Sequence, residues 1–310
     1  MPKYDAIRAA ALSATPRIVE RCDSDGVRLP SSNHRVFFRN QVVAAWDRAP
    51  SSWKLLSACA AAGKCLAYEL AAPYLQIRLR RTLRLLPFFL SETPTATLRL
   101  QRLAQKLGTP AEKFRHIPHP IDTQVFHRPR PAPPKRPVIV SVGRWQALQK
   151  DWPLLQATLR SFLDQCTEFE AVVFGPGAPS PSSHPRITQR GCVPPDAIAR
   201  ELQTSQILFF SSRYESFLLA GAEALCCGCS VVGPKEVASA EYFSSFFGGS
   251  PPVAGNPREL ARALVQEADQ WHQSRRDPQA IASRAQASFS HLHVAGTILS
   301  LFEEIGAAAK

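Results

Sequence analysis

Apolar residues follow two different rhythms along this chain. From Pro137 onward, short apolar runs alternate with stretches of helical period. Pro137–Val142, Glu170–Phe174, Arg186–Gln189, Ile207–Phe210 and Ser230–Val232 read as strands. Most are apolar at successive positions, the pattern of strands buried on both faces. Between them Trp152–Leu163, Pro195–Gln203 and a segment from about Phe217 to Cys227 read as helices, the last stopped by Gly228. Strands alternating with helices of this kind predict a parallel, doubly wound sheet. Helices over Pro257–Trp271, Pro278–Ser288 and roughly His293–Ile305 complete the chain.

Ahead of Pro137 the pattern is fragmentary. Tyr4–Ala9 and Arg17–Cys22 read as short strands, the second running into Asp23-Ser24-Asp25-Gly26. Arg35–Leu86 reads as mostly helical, interrupted near Pro50 and Pro73. Pro87–Leu90 reads as a buried strand, Pro94–Leu107 as a helix stopped by Gly108, and Phe114–Ile117 as a further strand.

Charge and glycine divide the chain at the same place. Met1–Arg136 carries 23 Lys and Arg against 9 Asp and Glu, a net of +14, and the remainder carries 14 against 16, a net of −2. Of the 15 glycines, 3 precede the break and 12 follow it. The break lies in His127–Pro137, a proline-rich stretch that is neither helix nor central strand. At 310 residues the chain has room for two modest domains. The expected division is 1–126, a linker at 127–137, 138–290, and a terminal segment 291–310. No apolar run reaches the ~20 residues of a spanning helix, and Asp5 and Arg8 interrupt any leader-like run at the start. Eight scattered Cys point to reduced thiols and a cytoplasmic setting. The basic excess comes with no nucleic-acid recognition motif, so nucleic acid is not an expected partner.

Candidate chemistry concentrates in Ser211–Gly233, SSRYESFLLAGAEALCCGCSVVG. A strand ends, a polar loop carries Glu215, and a helix begins near Phe217 with Glu223 inside it, eight residues after the first acid. The start of a helix offers unpaired N–H groups and partial positive charge, and anions bind there. An acid two turns inside cannot serve that anion, but it can accept hydrogen bonds from sugar hydroxyls alongside. Each acid alone is also what an ordinary capping or solvated Glu would be.

The stretch resembles the E-x7-E signature of retaining, nucleotide-sugar-dependent glycosyltransferases of the GT-B fold, family 4. The match runs through Arg213-Tyr214-Glu215-Ser216-Phe217 and Glu223-Ala224-Leu225 to Gly228 and Val231-Val232. Pro118-His119-Pro120-Ile121-Asp122 is similar to that family's turn between its domains, with His119 and Pro120 in place of Asn and Gly. The resemblance implies an α/β fold of two Rossmann-like domains with parallel sheets, and a last helix that crosses back to the first domain. It implies that Arg144 and Lys150, six apart, clamp the donor diphosphate together with Gly143 and the Ser216-Phe217-Leu218 backbone. Glu223 would hold the ribose, Glu215 the donor sugar, and Arg190, Cys192 and Val193 the nucleobase. Two positions depart from the family: Leu218 and Asp151 stand where it usually has Gly. The first half shows no opening strand with a Gly-rich turn before Gly26, so the acceptor-side domain is read as incomplete and turnover by this form as weak.

Asp23 and Asp25 share one face of a strand end and are carried as acceptor-side catalytic candidates; a turn with Asx hydrogen bonds or a metal-diphosphate site are the alternatives. Tyr74–Leu86 places Leu75, Leu79, Leu83 and Leu86 on one stripe, with Arg78, Arg80, Arg81 and Arg84 opposite. Such a helix packs on a sheet with its arginines in water, or lies on the inner face of an anionic membrane. Cys226 and Cys229 form a C-x-x-C with no second pair, at a helix end whose dipole opposes thiolate, and read as small packing residues.

The expected function is transfer of a sugar from a nucleoside diphosphate sugar to a hydroxyl of a sugar, lipid-linked or small-molecule acceptor. It would proceed with retention and with neither metal nor resident cofactor. The alternatives are a non-catalytic nucleotide-sugar-binding partner subunit and a nucleotide-sugar epimerase.

Overall fold

The computed structural model describes residues 21–23, 26–28, 35–39, 42–46, 89–180, 184–215, 217–247 and 249–308. Tyr4–Ala9, Tyr74–Leu86, Asp25 and Ser216 lie outside them. The chain forms two units, Met1–Pro120 together with Phe289–Lys310, and Ile121–Ser288. The change of unit falls inside the Pro118–Asp122 turn. The proline-rich stretch expected as a linker goes with the second unit, because its cations are bonded into it. Arg128 donates to Gln203 O at 3.3 Å, and Lys135 Nζ donates to Leu202 O at 2.8 Å and Cys227 O at 2.9 Å.

The first unit holds β1 (Arg21–Asp23), β2 (Gly26–Arg28), β3 (Arg35–Arg39), β4 (Val42–Trp46) and β5 (Phe89–Ser91). Helix α1 (Pro94–Lys106) and β6 (Phe114–His116) follow, and the six strands pair in sequence order. Two expectations need correcting here. The stretch from Arg35 was read as helical, yet Arg35–Arg39 and Val42–Trp46 form a hairpin in register Arg39↔Val42. Val36, Phe37, Phe38, Val42, Val43 and Trp46 are β-branched or aromatic, types that favour strands, and the two-residue separation sets the antiparallel register. Parallel pairing was expected in both halves. Here β1 to β5 pair antiparallel and only β5–β6 is parallel among the described residues. A parallel pair needs a crossover, and α1 supplies one only between β5 and β6.

Helix α1 starts where Thr93 accepts from Ala96 N at 3.1 Å. It ends at Gly108, φ +66°, with Gly108 N donating to Gln105 O and Thr109 N to Ala104 O. This is a Schellman stop. Its apolar face, Ala96, Leu100, Leu103, Ala104 and Leu107, is buried.

The second unit is a five-stranded parallel sheet. Its elements are β7 (Arg136–Val142), α2 (Trp152–Gln165), β8 (Glu170–Phe174), β9 (Ile187–Gly191), α3 (Pro195–Thr204), β10 (Ser205–Phe209), α4 (Leu219–Cys226) and β11 (Ser230–Val232). Helices α5 (Ala238–Phe247), α6 (Pro257–His272) and α7 (Pro278–Phe289) follow, and α8 (His291–Ala308) belongs to the first unit. Ile139, Ala171, Val173, Ile207 and Phe209 bury one sheet face in a core with Leu155, Leu159 and Phe162 of α2 and Leu260 and Leu264 of α6. The residues between them, Val138, Val140, Val172 and Leu208, are buried as well, which explains the unbroken apolar runs.

Cations close the C-termini of α2, α3 and α4. Arg186 donates to Leu163 O and, at 2.8–2.9 Å, to the carbonyls of Cys166, Thr167 and Phe169. Lys135 does the same for α3 and α4. Each offsets a negative helix end and satisfies carbonyls that α-helical bonding leaves open.

Candidate functional site

The strand order β11-β10-β7-β8-β9 fixes where a ligand can sit. The chain builds β7, β8 and β9 outward in one direction, then returns to place β10 on the other side of β7. The loops after β7 and β10 therefore leave adjacent strands where the strand order reverses, and in open parallel sheets the crevice outside such strand ends is the binding place. The first of these loops carries Gly143, Arg144 and Lys150, and the second carries Glu215. The structure thus brings together the residues that the sequence separates by about seventy positions.

The two loops are bonded to each other along their length. Arg213 N donates to Gln149 O at 2.9 Å, and Gln149 Nε2 donates to Tyr214 O at 2.9 Å. Ser211 Oγ donates to Lys150 O at 2.7 Å. Lys150 Nζ donates to Glu215 Oε1, which also accepts from Ser212 Oγ at 2.9 Å. The pair is largely enclosed, with 19 % of the lysine and 11 % of the glutamate side chain exposed. Arg213 Nε donates to Asp151 Oδ2 at 2.7 Å. Arg144 points its charge to solvent, with no ion-pair partner among the described residues.

Glycine lets the backbones close in. A Cβ on Gly175 would lie 1.8 Å from Gly143 O, and Gly175 has φ +112°. No other residue fits that approach between the loops after β7 and β8. Gly143 N donates to Phe174 O at 3.1 Å, and the buried Trp145 folds under the turn with Nε1 donating to the same carbonyl at 3.0 Å.

Helix α4 opens without a side-chain cap and without an acid in its first turn. Its start follows Glu215 by four residues, so the positive helix end lies on the same loop as the Lys150–Glu215 pair. Phe217 and Leu218 are buried. Leu218 turns its side chain into the protein, over Gly221, where a Cβ would come within 2.9 Å of Leu218 Cδ2 and 2.8 Å of Phe243. Its carbonyl accepts from Gly221 N and Ala222 N. Glu223 is half-buried on α4.

The remaining candidates are spread out. Arg190 and Cys192 are exposed and Val193 half-buried at the end of β9, two strands from β7. The Gly191 carbonyl accepts from Gly175 N at 2.6 Å, so this loop adjoins the glycine turn after β8. Asp23 ends β1, in register with Gly26 of β2. Cys226, Cys227 and Cys229 are fully buried, and burial pushes all three thiols above their ordinary range.

Sequence reasoning did not find Gln149, Asp151, Ser212 or Arg213 as partners in the crevice. The Asp-Trp-Pro run at 151–153 does carry a helix-start signal, and Asp151 Oδ1 accepts from Leu154 N at 3.3 Å. Nothing in the sequence showed that the same carboxylate would meet Arg213.

Residues 136–270 match the family model described as glycosyl transferases group 1. No curated protein sequence matches the chain. Among solved structures it is similar to sucrose-phosphate synthase from Thermosynechococcus elongatus, at 19 % identity and a TM-score of 0.59, over 78 % of this chain and 65 % of that one. It is similar to Anabaena HepE in complex with UDP, at 14 % identity and a TM-score of 0.60, over 78 % of this chain and 71 % of that one. S. aureus TarM, at 14 % identity and a TM-score of 0.56, is covered over 47 % of its length by 75 % of this chain. The chain thus spans about two thirds of the first of these structures, or slightly less. At these identities the likenesses establish the GT-B fold.

Proposed function

We propose that this chain, which matches the group 1 glycosyl transferase model over residues 136–270, moves a sugar from a nucleoside diphosphate sugar to an acceptor hydroxyl, with retention and without a metal. The observation that carries this reading is the crevice above β7 and β10. Lys150 and Arg144 stand on one loop, Glu215 and the uncapped start of α4 on the other.

As the glycosidic bond breaks, negative charge grows on the leaving diphosphate. Fixed cations and helix-end N–H groups stabilise that charge in place, with little reorganisation. Lys150 and Arg144 are the cations, and the Phe217-Leu218 backbone and the N–H groups of α4 are the dipoles. Without a donor, Glu215 occupies Lys150. With one, the diphosphate takes over Lys150, and the Glu215 carboxylate is released to accept from the sugar hydroxyls. Glu223 holds the ribose, and the Arg190–Val193 loop contacts the base. HepE has been solved with UDP and with UDP-glucose, and TarM with UDP and alpha-GlcNAc-glycerol. These supports favour a uridine diphosphate sugar as donor and a sugar or glycerol-linked hydroxyl as acceptor. Asp23 and Asp25 are the acceptor-side candidates. We place the enzyme in the cytoplasm, on the strength of its eight scattered Cys, with Tyr74–Leu86 as its contact with the inner membrane face. Among the described residues, no helix is long and apolar enough to cross a membrane.

Product analysis with labelled donor tests the reading. A new glycoside of retained configuration, formed in excess chelator, is the expected outcome. An isomerised donor would mean an epimerase, and binding without turnover a partner subunit. Loss of transfer on chelation, restored by Mn²⁺, would overturn the metal-free mechanism. Replacing Arg144 or Lys150 by Ala removes a charge-assisted contact of ~1.5–3 kcal/mol, so nucleoside diphosphate affinity should fall at least ~10-fold.

A further inference from the structure

Lys150 is followed by a residue in an unusual conformation. Asp151 has φ 49° and ψ 66°, left-handed backbone that a side chain makes costly. Ser274 is the other non-glycine residue with positive φ among the described residues. Asp and Asn enter this region most readily among residues with a Cβ, because a short polar side chain can bond locally. Asp151 does so with both oxygens. Oδ1 caps α2 through Leu154 N, and Oδ2 accepts from Arg213 Nε. The Asp151 side chain is only 12 % exposed, whereas Arg213 is 62 % exposed.

Arg213 grips the β7 loop on both sides of the lysine. Its backbone N bonds Gln149 O, one residue before Lys150, and its guanidinium bonds Asp151, one residue after. The Lys150 carbonyl is held by Ser211, two residues earlier on the same strand of loop. The lysine backbone therefore has its position and direction set by the 211–213 segment. Its side chain is left to meet whatever anion occupies the crevice.

We propose that Arg213 is a positioning residue, which holds Asp151 in the left-handed turn and so aims Lys150 at the diphosphate; the proposal rests on reading Lys150 as a diphosphate ligand. It acts through Asp151 and not by touching the donor. Glycine adopts the left-handed turn without help, and it serves as a helix N-cap with little loss. The consequence is a specific non-additivity. Once position 151 is glycine, Arg213 has nothing left to hold.

The experiment compares four proteins: the parent, Arg213→Gln, Asp151→Gly and the double variant. Affinity for uridine, guanosine and adenosine diphosphates is measured by titration calorimetry. Hydrogen exchange of the segment 148–154 is followed without ligand. Arg213→Gln should weaken the preferred diphosphate about threefold to tenfold and speed exchange across 148–154. The double variant should match Asp151→Gly in affinity and exchange, so that the Arg213 change has no effect in the glycine background. Equal affinity and equal exchange in parent and Arg213→Gln would overturn the proposal. So would an affinity loss of the same size in both backgrounds, which would make Arg213 a direct ligand. If the parent binds none of the three diphosphates, the reading of the crevice as a donor site fails. In that case the exchange measurement alone still decides whether Arg213 braces the turn.

Discussion

The two sheets of this protein answer one question, how to join neighbouring strands, in opposite ways. In the second unit α2, α3 and α4 carry the chain from β7 to β8, from β9 to β10 and from β10 to β11, and the neighbouring pairs β11–β10, β10–β7, β7–β8 and β8–β9 are all parallel. In the first unit two residues separate β1 from β2 and β3 from β4, and these pairs are antiparallel. A two-residue link can only reverse the chain, whereas a helix carries it back to start again in the same direction. The parallel arrangement gathers all strand C-termini, and hence the loops after them, at one edge. That is why the candidate donor residues converge in the second unit. In the first unit β5, α1 and β6 form the one described piece with the same logic.

The units also differ in how charge is used. The second unit buries it. Glu267 of α6 is fully buried and receives two hydrogen bonds of 2.7 Å from Arg276 and one of 2.8 Å from Ser250 Oγ. The largest effect we predict follows from this. Arg276→Ala strands a carboxylate in the core and should cost about 3–5 kcal/mol. The full chain unfolded in urea should show the second unit melting earlier, with the first unit's transition unmoved. Replacing both partners by apolar residues of similar volume, Glu267→Leu with Arg276→Met, should recover most of the loss. A double variant as weak as Arg276→Ala would mean the pair stabilises outright and is not merely a charge that must not be left alone.

The second prediction lies in the first unit and concerns pH. His116 ends β6 next to Glu92, whose backbone carbonyl is 3.3 Å from its Nε2. Burial pushes the imidazole down to about 4, outweighing that hydrogen bond, which acts in the other direction. The folded protein keeps His116 neutral while an unfolded chain takes up a proton near ~6.5. Stability from this residue is therefore complete above ~6.5 and is lost as pH falls towards 4, by up to ~2–3 kcal/mol. Thermal melts of the parent between pH 7 and 4 should fall more steeply than those of His116→Asn. Parallel curves would show that His116 charges freely in the folded state.

The same contrast explains what could be read in advance. In the second unit Glu170–Phe174 and Ser230–Val232 were legible to the residue, because buried strands between helices leave unbroken apolar runs. Pro94 and Gly108 marked both ends of α1 for a similar reason. Helix α5 was not legible. Its sequence, ASAEYFSSFF, mixes serines with aromatic residues that favour helix only weakly, and it has no start signal beyond Pro234. The hairpin Arg35–Trp46 was misread because Val-Val-Ala-Ala and Val-Phe-Phe fit a buried helix as well as a strand, and pairing across the turn decides between them. In the crevice, the charged residues stood out by type and spacing. Their partners did not, because Ser212 and Arg213 gain meaning only when the β7 loop is folded beside them.

The smallest predicted effect is the sharpest contrast with Glu267 and Arg276. In the first unit Arg115 of β6 meets Glu304 of α8 at 3.5 Å, with 48 % and 62 % of the two side chains exposed. Water solvates both charges already, and two long side chains lose freedom to hold one geometry. A double-mutant cycle of Arg115→Ala and Glu304→Ala should therefore give a coupling of ~0.5 kcal/mol or less. One molar salt, with a screening length of ~3 Å, should remove it. The single variants should each change stability within ~0.5 kcal/mol, since neither leaves a buried charge behind. A coupling above ~1 kcal/mol that survives high salt would break the comparison, because it would make this surface contact a genuine tie between the sheet and the final helix of the first unit.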